Sequence, residues 1–141
     1  MDWLSYVFQI NWLAVLLAFL ASMAIGFVWY LPGVLGRRWM EAVGKTEEEL
    51  RSSEGGTTIW GPMVGAAALT AILLAILISK LGLDTALAGG SFAFVLALVF
   101  RAGGHLIHNG FAGRPAAVTL IDSGHDVVAV TAAGAIIGAM S

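Results

Sequence analysis

The chain has 141 residues, of which 59% are hydrophobic and 11% charged, with a formal net charge of -2. A soluble domain carries about 25% charged residues, so this composition excludes an ordinary soluble globule and points to one domain embedded in a membrane. No basic cluster is present to track a phosphate backbone, which excludes nucleic acid as a partner; with no cysteine there is no disulfide, thiolate nucleophile or cysteine-based metal site.

The opening Met1-Asp2-Trp3 lacks the basic region of a secretory signal, and the apolar run after it is too long for a signal core. That run is expected to stay in place as a membrane anchor. The first predicted span covers roughly residues 8–31, enough for a hydrocarbon core of about 30 Å. Trp12 lies near one end and Trp29 and Tyr30 near the other, as interfacial anchors do. Pro32 ends the helix. Ala18, Ser22 and Gly26 recur every fourth residue and form a small-residue stripe for close helix packing.

Residues 32–58 form an excursion outside the membrane. Leu35, Trp39 and Val43 repeat every four residues, with Arg37, Arg38 and Glu41 on the other side. This predicts a short amphipathic helix in the headgroup region, anchored by Arg37, Arg38 and Trp39 in contact with lipid. Thr46 followed by Glu47, Glu48 and Glu49 has the capping-box pattern of a second short helix. Consecutive acids point in different directions, so they predict a solvated helix start rather than a metal site. Gly55-Gly56 closes the excursion.

The second span covers roughly residues 59–81, with Pro62 in its first turn, where a missing N–H does no harm. Gly61 and Gly65 make a GxxxG packing pattern. The turn at residues 82–85 is short, so spans two and three are expected as antiparallel neighbours. The third span, roughly residues 86–109, aligns Gly89, Ala93, Ala97, Arg101 and His105 at a spacing of four. The fourth, roughly residues 116–140, carries Asp122, His125 and Asp126 in its first half and the pair Gly134 and Gly138 in its second. The fold class is therefore all-α: a bundle of four transmembrane helices with a short interfacial helix between the first two.

The polar residues of the last two spans share one pattern. Arg101, His105 and His108 fall at i, i+4 and i+7 on one helix face, and Asp122 and Asp126 at i and i+4 on the next, with His125 beside them. An antiparallel hairpin centred on residues 112–114 brings Arg101 to the depth of Asp126 and His105 to the depth of Asp122. Each level then pairs a cationic or protonatable group with an anion, and the guanidinium faces protein. Gly113-Arg114-Pro115 supplies the turn.

Arg37, Arg38, Lys45, Arg51 and Arg114 share one side of the four spans, and only Lys80 lies on the other. The positive-inside rule then places the 32–58 excursion in the cytoplasm and both termini on the non-cytoplasmic side of the membrane.

Several strings resemble a known family. Asn11-Trp12-Leu13-Ala14-Val15, Gly26 with Trp29-Tyr30 and Pro32, Gly36 with Trp39-Met40, and Gly44 with Thr46-Glu47-Glu48 are similar to small bacterial membrane proteins classed as domain of unknown function 1761. Gly113-Arg114-Pro115, Gly124 and Gly134-Ala135-Ile136 extend the resemblance into the C-terminal half. It implies a four-span membrane protein and brings no activity with it. Asparagine is common in the family where Asp122 stands, and Arg101 matches no motif position, so the charged hairpin is expected of this chain and not of its relatives.

An ionisable residue inside a membrane helix costs roughly 2.5–3.5 kcal/mol on insertion scales and marks a functional site by default. The plain alternative is an ion-pair network that only fixes helix register. Three functions fit. Small-residue stripes on all four spans suit an accessory or scaffolding subunit of a larger membrane assembly, packed against other subunits or itself, and this is the reading we adopt. The histidines beside carboxylates also suit a path for protons or a small solute. Imidazoles could alternatively ligate haem or a chlorophyll-type pigment. No nucleophile, base and oxyanion set is visible, so no catalysis is expected, and no metal-ligand pattern is present.

Overall fold

The computed structural model describes the backbone over residues 3–52 and 56–141, and the side chains over residues 5–50 and 60–141. Gly55 and the side chain of Arg51, both used in the sequence reading, lie outside the described residues. Among the described residues all regular structure is helical. Four helices are long and apolar enough to cross a membrane: Trp12–Trp29, Trp60–Leu81, Ala86–Phe111 and Ala116–Ala139. They are called spans 1 to 4 below.

A short helix, α1 (Trp3–Val7), precedes the first span. Asn11 then breaks the chain and starts α2 (Trp12–Trp29), accepting from the amides of Leu13 and Ala14 at 3.1 and 3.2 Å. Those are two of the donors that a helix start leaves without a partner. The same side chain donates to the carbonyl of Met140 at 3.0 Å, which ties the start of span 1 to the end of span 4.

The expected single helix after Pro32 is two pieces. A π-helical turn, Pro32–Gly36, runs into α3 (Arg37–Val43). The amide of Gly36 bonds back to the carbonyl of Leu31 at 3.0 Å, closing the wide turn. A Cβ at position 36 would strike the Tyr30 carbonyl, so only glycine lets the excursion fold against the end of span 1. Along the π-helical turn and α3, Leu35, Trp39 and Val43 are half-buried and Arg37, Arg38 and Glu41 exposed, the division that their spacing predicts. Gly44, at φ 69°, ends α3 in the left-handed conformation. The Thr46 capping box opens α4 (Glu47–Ser52): its amide donates to Glu49 Oε2 at 2.7 Å, and its hydroxyl accepts from the Glu49 amide at 3.2 Å.

Span 2 lies in α5 (Gly56–Leu81), which starts earlier than predicted, so Pro62 falls inside the helix rather than in its first turn. Span 3 is built of α6 (Ala86–Leu96), a second π-helical segment at Ala97–Ala102, and α7 (Gly103–Phe111), where an unbroken α-helix is the sequence expectation. Thr85 caps it, accepting from the Ala88 amide at 3.1 Å. Gly113, at φ 62°, turns the chain into α8 (Ala116–Ala139), which is span 4.

Span 4 is the helix on which the other three pack. Its contact with span 3 is backbone to backbone: a Cβ at Gly89 would meet the Gly134 carbonyl and Gly138 Cα, and one at Gly134 would strike Ala93. Small residues permit this approach in lipid, where close van der Waals packing replaces the hydrophobic drive. Span 2 packs on spans 1 and 4 through Ala71, Leu74, Ala75 and Ile78. It packs little on span 3, despite the short turn joining them. Span 4 occupies the position between them, and this overrides the neighbour relation that the turn suggests. Each span buries a third or less of its residues, and side chains such as Leu20, Leu73, Phe100 and Leu120 point outward. That surface suits acyl chains rather than water.

Candidate functional site

The polar site is organised around one carboxylate, Asp126, about ten residues into α8, or ~15 Å from its start. Arg101 Nη1 lies 3.7 Å from Asp126 Oδ2, so the expected pairing of these two is present. His105 Nε2 is 3.2 Å from the same oxygen, and His125 Nδ1 is 3.0 Å from Oδ1. A carboxylate only accepts, so each of those ring nitrogens carries a hydrogen towards Asp126. Three basic groups thus share one acid.

Sequence pairing sets His105 opposite Asp122; the structure sets it on Asp126 instead. The reason lies in Ala97–Ala102. Hydrogen bonding from i to i+5 there turns the residues that follow about the helix axis, relative to a continuous α-helix. His105 is carried onto the next acid along. His108, predicted on the same face, is exposed and stands outside the cluster.

Asp122 has a different partner. The Tyr30 hydroxyl donates to its Oδ1 at 2.7 Å. Trp29 donates its indole N–H to the Ile121 carbonyl at 3.1 Å, and a Cβ at Gly124 would stand 3.1 Å from the Trp29 ring. Trp39 meets Tyr30 edge-on at 5.8 Å, and the His125 ring lies 5.4 Å from Tyr30. The pattern predicts surface anchors at Trp29, Tyr30 and Trp39. The structure turns them inward, as a lid of rings over the polar face of span 4; Trp29 and Tyr30 find hydrogen-bond partners there that lipid lacks, whereas the buried Trp39 indole N–H has none among the described residues. Trp12 stays exposed, with its indole N–H on the Val7 carbonyl at 3.1 Å. Arg37 and Arg38 are exposed on α3.

Span 1 makes room for this arrangement. A Cβ at Gly26 would stand 3.0 Å from His125 Nε2, so the ring fills the notch that glycine leaves. That nitrogen is buried without a hydrogen-bond partner among the described residues, as is the Ser123 hydroxyl. Ala18 is fully buried on the same face, and Ser22 donates to the Ala18 carbonyl at 2.9 Å, with the Ala129 carbonyl of span 4 at 3.5 Å. The stripe Ala18, Ser22, Gly26 therefore faces span 4, and Gly134 and Gly138 face span 3. Gly61 and Gly65 face open space.

Two contacts lie beyond the sequence reading. Arg101 Nη2 donates to Thr70 Oγ1 at 2.7 Å, bridging spans 3 and 2. Asn109 donates to Thr119 Oγ1 at 3.1 Å and fastens the hairpin near its turn. A lone threonine in an otherwise apolar stretch is the signal for Thr70. At the opposite end of the bundle Gln9, Asn11, Ser79 and Ser141 help to line a cavity of about 120 Å³.

Among the described residues no group of three or more His, Cys, Asp or Glu side chains is arranged to hold a metal ion. His105 and His125, the histidines a haem or pigment would need, are both hydrogen-bonded to Asp126. The arrangement can neutralise a cation among apolar helices, fix the register of spans 3 and 4, and hold protons on the groups around Asp126. Comparison with curated proteins and with solved structures gives no match. The model of one family, described as protein of unknown function (DUF1761), matches residues 13–138, and the chain belongs to that family.

Proposed function

We propose that this chain is a non-catalytic subunit of a larger membrane assembly. One observation carries the reading: Arg101, near the middle of span 3, keeps 42% of its side chain exposed on the outer surface of the bundle. Exposed Leu98, Val99 and Phe100 flank it. A cation at that depth facing acyl chains costs several kcal/mol, and such residues normally face protein or a water-filled cavity. Another membrane helix over this face removes the conflict. Ser123 makes no hydrogen bond to His125 or to any other described residue, so these two are not joined as a nucleophile and base.

Purification from native membranes in mild detergent tests this. A stable particle larger than the chain, which dissociates on Arg101→Leu, is the expected result. A lone monomer, with its arginine face open, overturns the reading.

A second reading, a site for proton transfer, is favoured by the Tyr30–Asp122 bond and the three contacts to Asp126, which place titratable groups side by side. It is the weaker of the two, because the buried residues of span 4 between Asp126 and the cavity-lining Ile137 are Ala129, Ala133 and Gly134, none of them titratable. Proton flux into liposomes, unchanged by Asp122→Asn, removes it.

A further inference from the structure

The exposed face at Arg101 has a definite shape. On span 2 all seven residues from Trp60 to Ala66 are exposed, and neither Gly61 nor Gly65 has anything near the place a Cβ would take. Span 3 touches this helix at Thr70, packs little on it otherwise, and shows Val99, Phe100, Leu106 and Ile107 as exposed apolar side chains. Thr70 and Arg101 join the two helices at the closed end of the resulting cleft. The cleft is bare and apolar along its walls and cationic at its base.

The charge at the base is incompletely matched. A guanidinium has five N–H donors in a fixed fork. Nη2 is bound to Thr70, and Nη1 lies 3.7 Å from Asp126, long for a direct hydrogen bond, with two histidines competing for that acid. A lipid phosphate does not answer this need. Arg101 stands ten residues from the end of span 3 at Phe111, about 15 Å along the axis, and its contacts hold the guanidinium at its own level instead of letting it extend to the surface.

A second copy of the chain does not answer it either. The two acids inside the spans, Asp122 and Asp126, both belong to span 4, and Asp126 already serves Arg101 within the chain. A copy docking symmetrically through this cleft would set two Arg101 side chains at equal depth, and like charges there repel.

We propose, resting on the subunit reading above, that the cleft between spans 2 and 3 receives a transmembrane helix of a different protein, carrying a carboxylate near its midpoint. The carboxylate takes the free donors of Arg101, and the helix backbone lies against Gly61 and Gly65.

The test uses the full chain, fluorescently labelled, in liposomes with synthetic leucine-rich transmembrane peptides that differ only at the central residue. Energy transfer to the peptide with a central aspartate is expected to show about three- to tenfold tighter association than to the all-leucine peptide. Arg101→Leu abolishes the preference and Arg101→Lys keeps part of it. Gly65→Leu weakens both peptides alike. Equal association of the two peptides with the unaltered chain overturns the proposal without recourse to any variant, and so does a preference that survives in Arg101→Leu. Transfer between copies of the chain that no peptide displaces assigns the cleft to a second copy and also overturns it. A large native particle found together with no carboxylate preference leaves the subunit reading standing and removes only this inference.

Discussion

Tyr30 and Asp122, 92 residues apart in the chain, are joined by a 2.7 Å hydrogen bond that brings the end of span 1 onto the polar face of span 4. Tyr30→Phe leaves the ring in place and removes the donor. A hydrogen bond to a charged group contributes roughly 1.5–3 kcal/mol, less where the group is partly solvated. We expect a loss of about 1–2 kcal/mol in reversible denaturation in detergent micelles. Asp122→Asn keeps an acceptor oxygen and is expected to cost less.

Asp126 serves Arg101, His105 and His125 at once, so its loss is expected to be the most damaging in the site. Asp126→Leu strands a cation, which costs roughly 3–5 kcal/mol for a buried pair and less here, where 42% of the Arg101 side chain is exposed. Arg101→Asp combined with Asp126→Arg is expected to recover part of what either single change loses. A double-mutant cycle measures that coupling; a value near zero removes the ion pair from any account of the fold.

Glycines facing a helix and glycines facing outward should behave differently. Gly89→Ala drives a methyl into the Gly134 carbonyl, backbone that cannot swing aside. Overpacking of this kind costs about 1–3 kcal/mol. Gly61→Ala and Gly65→Ala enter open space, and neither should move the midpoint of the isolated chain by more than about 0.5 kcal/mol.

Outside the spans, the Thr46 amide and then its hydroxyl hold the Glu49 carboxyl below its usual range; slight desolvation opposes them, and Lys45 adds a small further lowering. A carboxyl lowered in the folded state contributes stability that is present above its unfolded value and lost as pH falls through the folded one. The capping box should therefore hold at neutral pH and open only below the ordinary glutamate range, about pH 4. An NMR titration of Glu49 and the Thr46 amide should show both moving together. Thr46→Ala keeps the amide and removes the hydroxyl, so it should raise Glu49 only part of the way back.

Much of this architecture is legible from residue order alone. The apolar runs mark all four spans, and the hairpin centred on residues 112–114 puts Arg101 beside Asp126. The line Gly89, Ala93, Ala97 is buried as its spacing implies. The π-helical segment is not legible, because Ala97-Leu98-Val99-Phe100-Arg101-Ala102 is apolar enough for either kind of turn and carries no proline or glycine. The shift of His105 from Asp122 to Asp126 follows from that one unseen turn. Trp29 and Tyr30 mislead for another reason. An aromatic ring with a polar edge suits the membrane surface and a buried carboxylate or carbonyl equally well, and only the partner's position separates the two. The sparse contact between spans 2 and 3 is hidden because loop length limits distance without specifying packing.

Span 4, the hub of the bundle, is the last of the four to leave the ribosome, and it is also the least apolar of them. Its predecessors can enter the bilayer on their hydrophobicity, but apart from the contact of span 1 with span 2 they have little to hold them together. The final helix brings two aspartates and meets an arginine already in place. Biogenesis thus ends on the step that makes the whole cooperate, and any delay at that step leaves three helices without the core they are shaped to surround.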